Sequence, residues 1–295
     1  MAKLQQKIEL RKKSRKKFIS ARISSALFGV NPKKSYQNTL NCSATLWSDT
    51  DGTLHANYCK NRWCSTCNSI RTAILINQYA QEIKSMQDPY FVTLTAPTVP
   101  IERLKAEIEL YQKTFRSIIN MNKHRGKFKG LRKLECTIRP GELYHPHFHC
   151  VIDGRANAQT LLYEWLKRMP GADRKAQDIR KADERSTIEL FKYFTKLFKR
   201  KKDGTYDKVD YERLERIMST IAGKRIFQPF GGLQKPAKWI ETDIIETDTP
   251  AQADKIYEWA GTDWVDRETG ELLTGYIPNK NLLEILSSAD SNQCD

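Results

Sequence analysis

His145-Pro-His-Phe-His149 sets three imidazoles at alternate positions, and Glu189-Leu-Phe-Lys-Tyr193-Phe-Thr-Lys196 follows some forty residues on. Clustered imidazoles hold a divalent cation. A tyrosine among lysines is a nucleophile whose phenolate is favoured by the neighbouring positive charge. A cation and such a tyrosine suffice to cut a phosphodiester by forming a protein–DNA bond. A third constellation, Cys59-x4-Cys64-x2-Cys67 with Cys42 upstream, has the composition of a structural Zn²⁺ site of four thiolates. Cys64-Ser-Thr-Cys67 supplies a two-ligand knuckle, Cys42 and Cys59 complete the set, and His55 is the alternative to Cys42. Redox chemistry of the thioredoxin kind calls for one cysteine pair in a strand–helix setting, not four cysteines.

The elements around these residues must place them together. Tyr90–Thr95, Leu131–Arg139 and His147–Asp153 read as strands, with Pro140-Gly141 turning between the second and third. Side chains alternate along a strand. His145, His147 and His149 therefore share one face, and Pro146, Phe148, Cys150 and Ile152 share the other. Leu134, Cys136 and Ile138 mark the core side of their strand, which turns Glu135 and Thr137 toward the histidines. Thr93 and Thr95 alternate with Val92 and Leu94. The expected catalytic ligands are His147, His149 and Glu135, a set that leaves positions open for water and a phosphate oxygen. His145 competes with Glu135 as third ligand, but Pro146 is expected to break pairing there and leave it at the margin.

Helices are expected at 70–86, 101–122, 157–168 and 186–200. On the last, Leu190, Phe191, Phe194, Leu197 and Phe198 form an apolar arc; Glu189, Lys192, Tyr193, Lys196, Lys199 and Arg200 form the other. Tyr193 thus lies on the cationic side, with Glu189 and Lys196 as surface neighbours. This mixture predicts an α+β fold: a central antiparallel β-sheet with helices packed on one face, plus a small zinc-binding module.

The 295 residues carry a net charge of +15, unevenly placed. Residues 241–295 hold thirteen acids and three bases, so the preceding 240 residues carry +25. A body that basic points to nucleic acid. The organisation expected is a basic segment over 1–34, a cysteine-rich zinc module over 35–72, a nicking and joining domain over 73–240 and an acidic segment over 241–295. Arg11-Lys-Lys-Ser-Arg-Lys-Lys17 reads either as a flexible arm that contacts phosphates or as a solvated helix face. Arg62 and Arg71, beside the cysteines, and Lys192, Lys199 and Arg200, beside the tyrosine, are the candidate DNA contacts. No apolar run is long enough to span a bilayer, and Met1–Lys17 lacks the apolar stretch of a secretory signal. A cytoplasmic protein with reduced thiols is expected. No Gly-x-x-x-x-Gly-Lys-Ser/Thr loop occurs, so no ATPase of that kind is encoded here.

Taken in order, these motifs resemble the rolling-circle replication initiators (Rep proteins) of small bacterial plasmids, members of the HUH endonuclease superfamily with a single catalytic tyrosine. Phe91-Val-Thr-Leu-Thr95 resembles the first motif of that group, His145-Pro-His-Phe-His149-Cys-Val-Ile the second and Glu189 to Lys196 the third. Cys59-Lys-Asn-Arg-Trp-Cys-Ser-Thr-Cys67 is similar to the upstream cysteine module, and Gly223 to Gly232 to a later glycine-rich stretch. Ser65 departs from the proline frequent after the middle cysteine, without touching a ligand. The resemblance implies that Mg²⁺ or Mn²⁺ on His147 and His149 polarises the scissile phosphate and that Tyr193 attacks it. The protein is then joined to the 5′ phosphate and a 3′-hydroxyl is freed as primer. It further implies that Glu189 activates water to end the reaction, that Lys196 neutralises transition-state charge, and that a host helicase and polymerase do the rest.

Three other readings compete. A histidine-triad nucleotide hydrolase nearly fits the histidine run but leaves Tyr193, the cysteines and the charge without a role. A non-catalytic zinc-containing DNA-binding regulator accounts for charge and cysteines but not for the histidine row. A tyrosine transposase or relaxase would use the same residues for strand transfer.

Overall fold

The computed structural model describes residues 2–124, 128–191, 207–233 and 253–287. In chain order the elements begin α1 (Ala2–Val30), α2 (Lys34–Leu40), β1 (Thr45–Ser48), β2 (Leu54–Ala56), α3 (Ser65–Lys84) and β3 (Pro89–Thr95). They continue with α4 (Ile101–Met121), β4 (Gly130–Arg139), β5 (Leu143–Asp153), α5 (Arg155–Arg168), β6 (Asp178–Lys181) and α6 (Glu184–Phe191). The last are α7 (Tyr211–Ile221), β7 (Phe227–Phe230), β8 (Lys255–Trp259), β9 (Trp264–Asp266) and α8 (Lys280–Leu286). The fold is α+β with two antiparallel sheets. The chain divides into one unit of Met1–Arg71, Leu197–Glu215 and Ile240–Asp295, and a second of Thr72–Lys196 and Arg216–Trp239.

In the second unit the sheet order is β6-β3-β5-β4-β7. Phe148, on the centre of β5, meets Tyr111 and Phe115 of α4 at ring separations of 5.4 Å each, and Trp165 of α5 at 5.9 Å. Tyr111, Phe115, Phe148 and Trp165 are all buried, so α4 and α5 close this face of the sheet by apolar burial. The opposite face is covered at one end. There Phe91, Leu131 and Val151 pack with Leu75, Tyr79 and Ile83 of α3, with Met86 just beyond its end, and with Leu190 and Phe191 of α6. The strands alternate, so the same face continues along β5 to His149 and His147.

β5 begins at Leu143, and Pro146 pairs opposite Cys136 within it. Proline was expected to interrupt pairing at this point, and the reason it does not lies in the neighbours. The Tyr144 N–H donates to Val99 O (2.8 Å), on the side of β3. By alternation the missing N–H of Pro146 falls on that side too, where β3 has ended at Thr95 opposite His147. No ladder bond is lost.

The glycine-rich stretch ends β7. Gly231 has φ +64°, and a Cβ there would stand 1.7 Å from the Phe128 carbonyl oxygen. Backbone cannot yield as a flexible side chain does. Gly231→Ala is expected to lower stability by about 3 kcal/mol or more, read as a fall in the thermal melting temperature. A melt within two degrees of the parent would show that this turn relaxes freely.

In the first unit the order β2-β1-β8-β9 pairs Trp47 of β1 with both His55 of β2 and Ile256 of β8. Part of the acidic C-terminal stretch is thus an interior strand of a sheet. The N-terminal basic block is neither a flexible arm nor a wholly solvated face. α1 buries Ile19, Ile23 and Leu27 at four-residue spacing, and Ser14 and Lys17 within the block are 0% exposed. Ser14 Oγ donates to Asp263 Oδ1 (2.9 Å), a carboxylate that also accepts the Thr274 and Gly275 N–H groups.

Candidate metal centre

β4 and β5 pair residue for residue, which sets Glu135 opposite His147, Lys133 opposite His149 and Thr137 opposite His145. β3 adds Thr93 opposite His149 and Thr95 opposite His147. The donor atoms of Glu135, His147 and His149 lie within 4.8 Å of one another. All three residues are buried, at 5%, 7% and 8% exposure.

The separations inside this cluster fit a shared cation. Glu135 Oε1 is 3.7 Å from His147 Nε2, and Glu135 Oε2 is 3.6 Å from His149 Nε2. Both exceed a good hydrogen bond. Two donors each about 2.1 Å from one ion stand roughly 3.0–3.4 Å apart in octahedral or tetrahedral geometry, so a small closure completes the site. The imidazoles are oriented for this. His147 Nδ1 lies 3.1 Å from the His145 carbonyl oxygen, which can only accept, so Nδ1 carries the proton and Nε2 presents its lone pair. His149 Nδ1 meets Thr93 Oγ1 at 3.2 Å.

Lys133 is the site residue that sequence reasoning missed. It is 0% exposed and donates Nζ to Glu135 Oε2 at 3.0 Å. A lysine on a strand reads as solvent-facing. The available signal was its parity with Glu135, two positions away on the histidine face. The pair balances the carboxylate's charge where water is excluded. His145 stands beside the cluster rather than in it. Its ring stacks on His147 at 5.3 Å, and burial, with lesser contributions from His147 and Arg139, pushes its pKa down to about 4. It is therefore neutral near pH 7.

α6 lies over the same sheet face, with Leu190 and Phe191 in the core and Glu189 partly exposed. Glu189 Oε2 is 3.4 Å from Arg180 Nη2 of β6, a solvent-exposed pair that holds the carboxylate only weakly. Arg180 in turn lies over the Phe91 ring at 4.2 Å, and that ring is 5.3 Å from His149. Lys192, Tyr193, Lys196, Lys199 and Arg200 lie outside the described residues.

The second donor cluster is in the first unit. Cys42, Cys59, Cys64 and Cys67 bring their sulfurs within 4.8 Å of one another. Three of the separations are 3.4, 3.6 and 3.6 Å. A tetrahedron with metal–sulfur bonds of about 2.3 Å has edges of about 3.8 Å, so this arrangement fits Zn²⁺. Cys42, not His55, is the fourth member: His55 bonds Asp49 (2.6 Å) and stacks on Trp47. Without a cation the thiols cannot all ionise. Hydrogen bonding to Cys59, Cys64 and Cys67, together with burial, drives the Cys42 thiol far above its ordinary value, while bonds from the other thiols drive Cys64 well below. Buried Lys17 donates to the carbonyls of Leu40 (2.6 Å) and Cys42 (2.5 Å). Burial disfavours its charge, and the four cysteines favour it. An ammonium placed here suits an anionic tetrathiolate. Arg71 is 8% exposed and gives Nη2 to Lys60 O (2.8 Å), tying the loop between Cys59 and Cys64; Arg62 is half-buried.

Residues 53–154 match the family model described as a replication protein. Over this segment the chain is similar to Rep replication proteins. It is 38% identical over 104 residues to "Protein rep" of Staphylococcus aureus, covering 33% of this chain and 45% of that one. It is 33% identical over 109 residues to "Protein rep" of a Bacillus species, covering 35% and 36%, and 32% identical over 109 residues to that of Bacillus amyloliquefaciens, covering 35% and 32%. The chain spans less than half the length of these curated Rep relatives. No solved structure matches. The segment matching the Rep model takes in Cys59, Cys64, Cys67, Glu135, His147 and His149, and ends before Glu189 and Tyr193. Among the described residues no helix is long and apolar enough to cross a membrane.

Proposed function

We propose that this chain initiates plasmid replication by cutting one DNA strand at the origin. The carrying observation is the buried Glu135, His147 and His149 cluster inside a segment similar to replication proteins. Glu189 lies on a helix packed over the same sheet face. A Mg²⁺ or Mn²⁺ ion on these donors would polarise a phosphate oxygen. The Tyr193 phenolate attacks the phosphorus, the bond to O3′ breaks, and the 3′ oxygen leaves as a hydroxyl after taking a proton. The 5′ phosphate stays on Tyr193. Lys196 offsets charge on the phosphate, and Lys192, Lys199 and Arg200 hold its neighbours. Arg62 contacts phosphate beside the cysteine loop. Arg71 would reach one only by leaving its bond to Lys60, so holding that loop is its first role. Zn²⁺ on the four cysteines is structural. Strand opening and synthesis fall to the host's helicase and polymerase in the cytoplasm.

The reading is tested by incubating the full chain with single-stranded origin DNA and Mn²⁺, seeking a denaturant-stable adduct and mapping it. An adduct on Tyr193 is expected; a nick with no adduct would point to hydrolysis by water and overturn the covalent scheme. Glu189 is assigned to the release step, in which it takes the proton of an attacking water. Glu189→Ala should keep nicking within a few-fold and slow release by about 10²-fold or more, seen as adduct that persists through a chase. Loss of nicking itself would refute that role.

A further inference from the structure

A groove of about 590 Å³ opens between α5 and β6, the edge strand of the second unit's sheet. Its floor is apolar, with Leu162 and Ile179, and its walls carry Tyr90 and Tyr163. Tyr163 is 62% exposed. Arg155, Arg174, Arg180 and Lys181 form the rim, and among the described residues no acidic one lines the groove. Arg180 and Lys181 are ion-paired, to Asp178 and Glu189 and to Asp88. Among the described residues Arg155 and Arg174 have no carboxylate partner.

We propose that this groove is a binding site for single-stranded DNA, with one base stacked on Tyr163 and flanking phosphates on Arg155 and Arg174. An exposed aromatic ring beside guanidinium groups that no described carboxylate neutralises suits a ligand with alternating flat faces and negative charges. A duplex keeps its base faces stacked inside and offers only phosphates. An acidic peptide would meet the cations but leave the tyrosine without a flat partner. The groove and the donor cluster lie on opposite faces of the sheet: Tyr90, Ile179 and Lys181 share the α5 face, whereas the Arg180 guanidinium turns to the other face, over Phe91, whose ring is 5.3 Å from His149. A strand held here would round the edge strand β6 to approach the donor cluster. The proposal rests on the nucleic-acid reading given above, but it is measured by binding and not by cleavage, so the two fail separately.

The test is fluorescence anisotropy of a labelled oligo(dT) lacking any origin sequence, with the full chain carrying Tyr193→Phe and no divalent cation. Tyr163→Ala should weaken binding at least about fivefold, and Tyr163→Phe should restore it, because stacking needs the ring and not the hydroxyl. Arg155→Ala with Arg174→Ala should lower the slope of log affinity against log salt by about 1.4, the value for two phosphates on a single strand. Duplex DNA should bind Tyr163→Ala like the parent. Unchanged oligo(dT) affinity in Tyr163→Ala, or an equal loss on duplex, would overturn the proposal. Tyr163 is largely exposed, so circular dichroism should report an intact fold in every variant.

Discussion

In Tyr193→Phe, the covalent adduct with single-stranded origin DNA should fall by at least about 10³-fold, equivalent to about 4 kcal/mol of transition-state stabilisation. Phenylalanine keeps the ring and removes only the phenolic oxygen. Stability should therefore hold while chemistry fails. The chain has twelve tyrosines, so another could in principle take over. Tyr36, Tyr79, Tyr111 and Tyr144 are at most 1% exposed, out of reach of a phosphodiester. A weak nick without adduct in the variant would report attack by water at a phosphate that Glu135, His147 and His149 still serve. A chelator should suppress nick and adduct together. The measurement is denaturing electrophoresis of labelled DNA followed by peptide mapping, and an undiminished adduct would sink the role of Tyr193.

The second large effect concerns the other cluster. Cys64→Ala should abolish bound zinc, measured by elemental mass spectrometry, and lower stability by about 4 kcal/mol or more. Cys64 is 0% exposed, and its loss leaves two buried thiols, the half-buried Cys59 and the buried Lys17 without the cation expected to reconcile them. Cavity formation alone would cost far less. Cys150 makes the control, being equally buried, outside both clusters, and held by burial at a pKa of about 12. Cys150→Ala should cost about 1 kcal/mol and leave zinc in place. Retained zinc in Cys64→Ala would refute the tetrathiolate site.

Much of the candidate metal centre was legible because strand alternation is a local property. Once Leu134, Cys136 and Ile138 mark a core face, Glu135 must face the other way, and the histidines follow the same parity. Parity could not choose between His145 and Glu135, since both lie on that face. Register chose, setting Glu135 opposite His147 and Thr137 opposite His145. Parity set Lys133 on the histidine face but could not show its burial, which depends on β5 on one side and β7, at Phe227, on the other. The fourth cysteine was decided the same way, when the β1–β2 hairpin turned His55 onto Trp47 and Asp49.

The sequence by itself determined the residue types, their spacing and the faces they share: a histidine row opposite an apolar stripe, a cysteine quartet, and a glutamate four residues before a tyrosine. These follow from the period of strands and helices, which needs no distant partner. Only the tertiary structure decided which donors meet, how Pro146 is tolerated, and that acidic residues after 240 supply an interior strand beside β1. Each depends on which segment pairs with which, and charge counts carry no record of pairing. The same holds for the groove at Tyr163, where residues from β3, α5 and β6 become one surface only when the sheet edge is built.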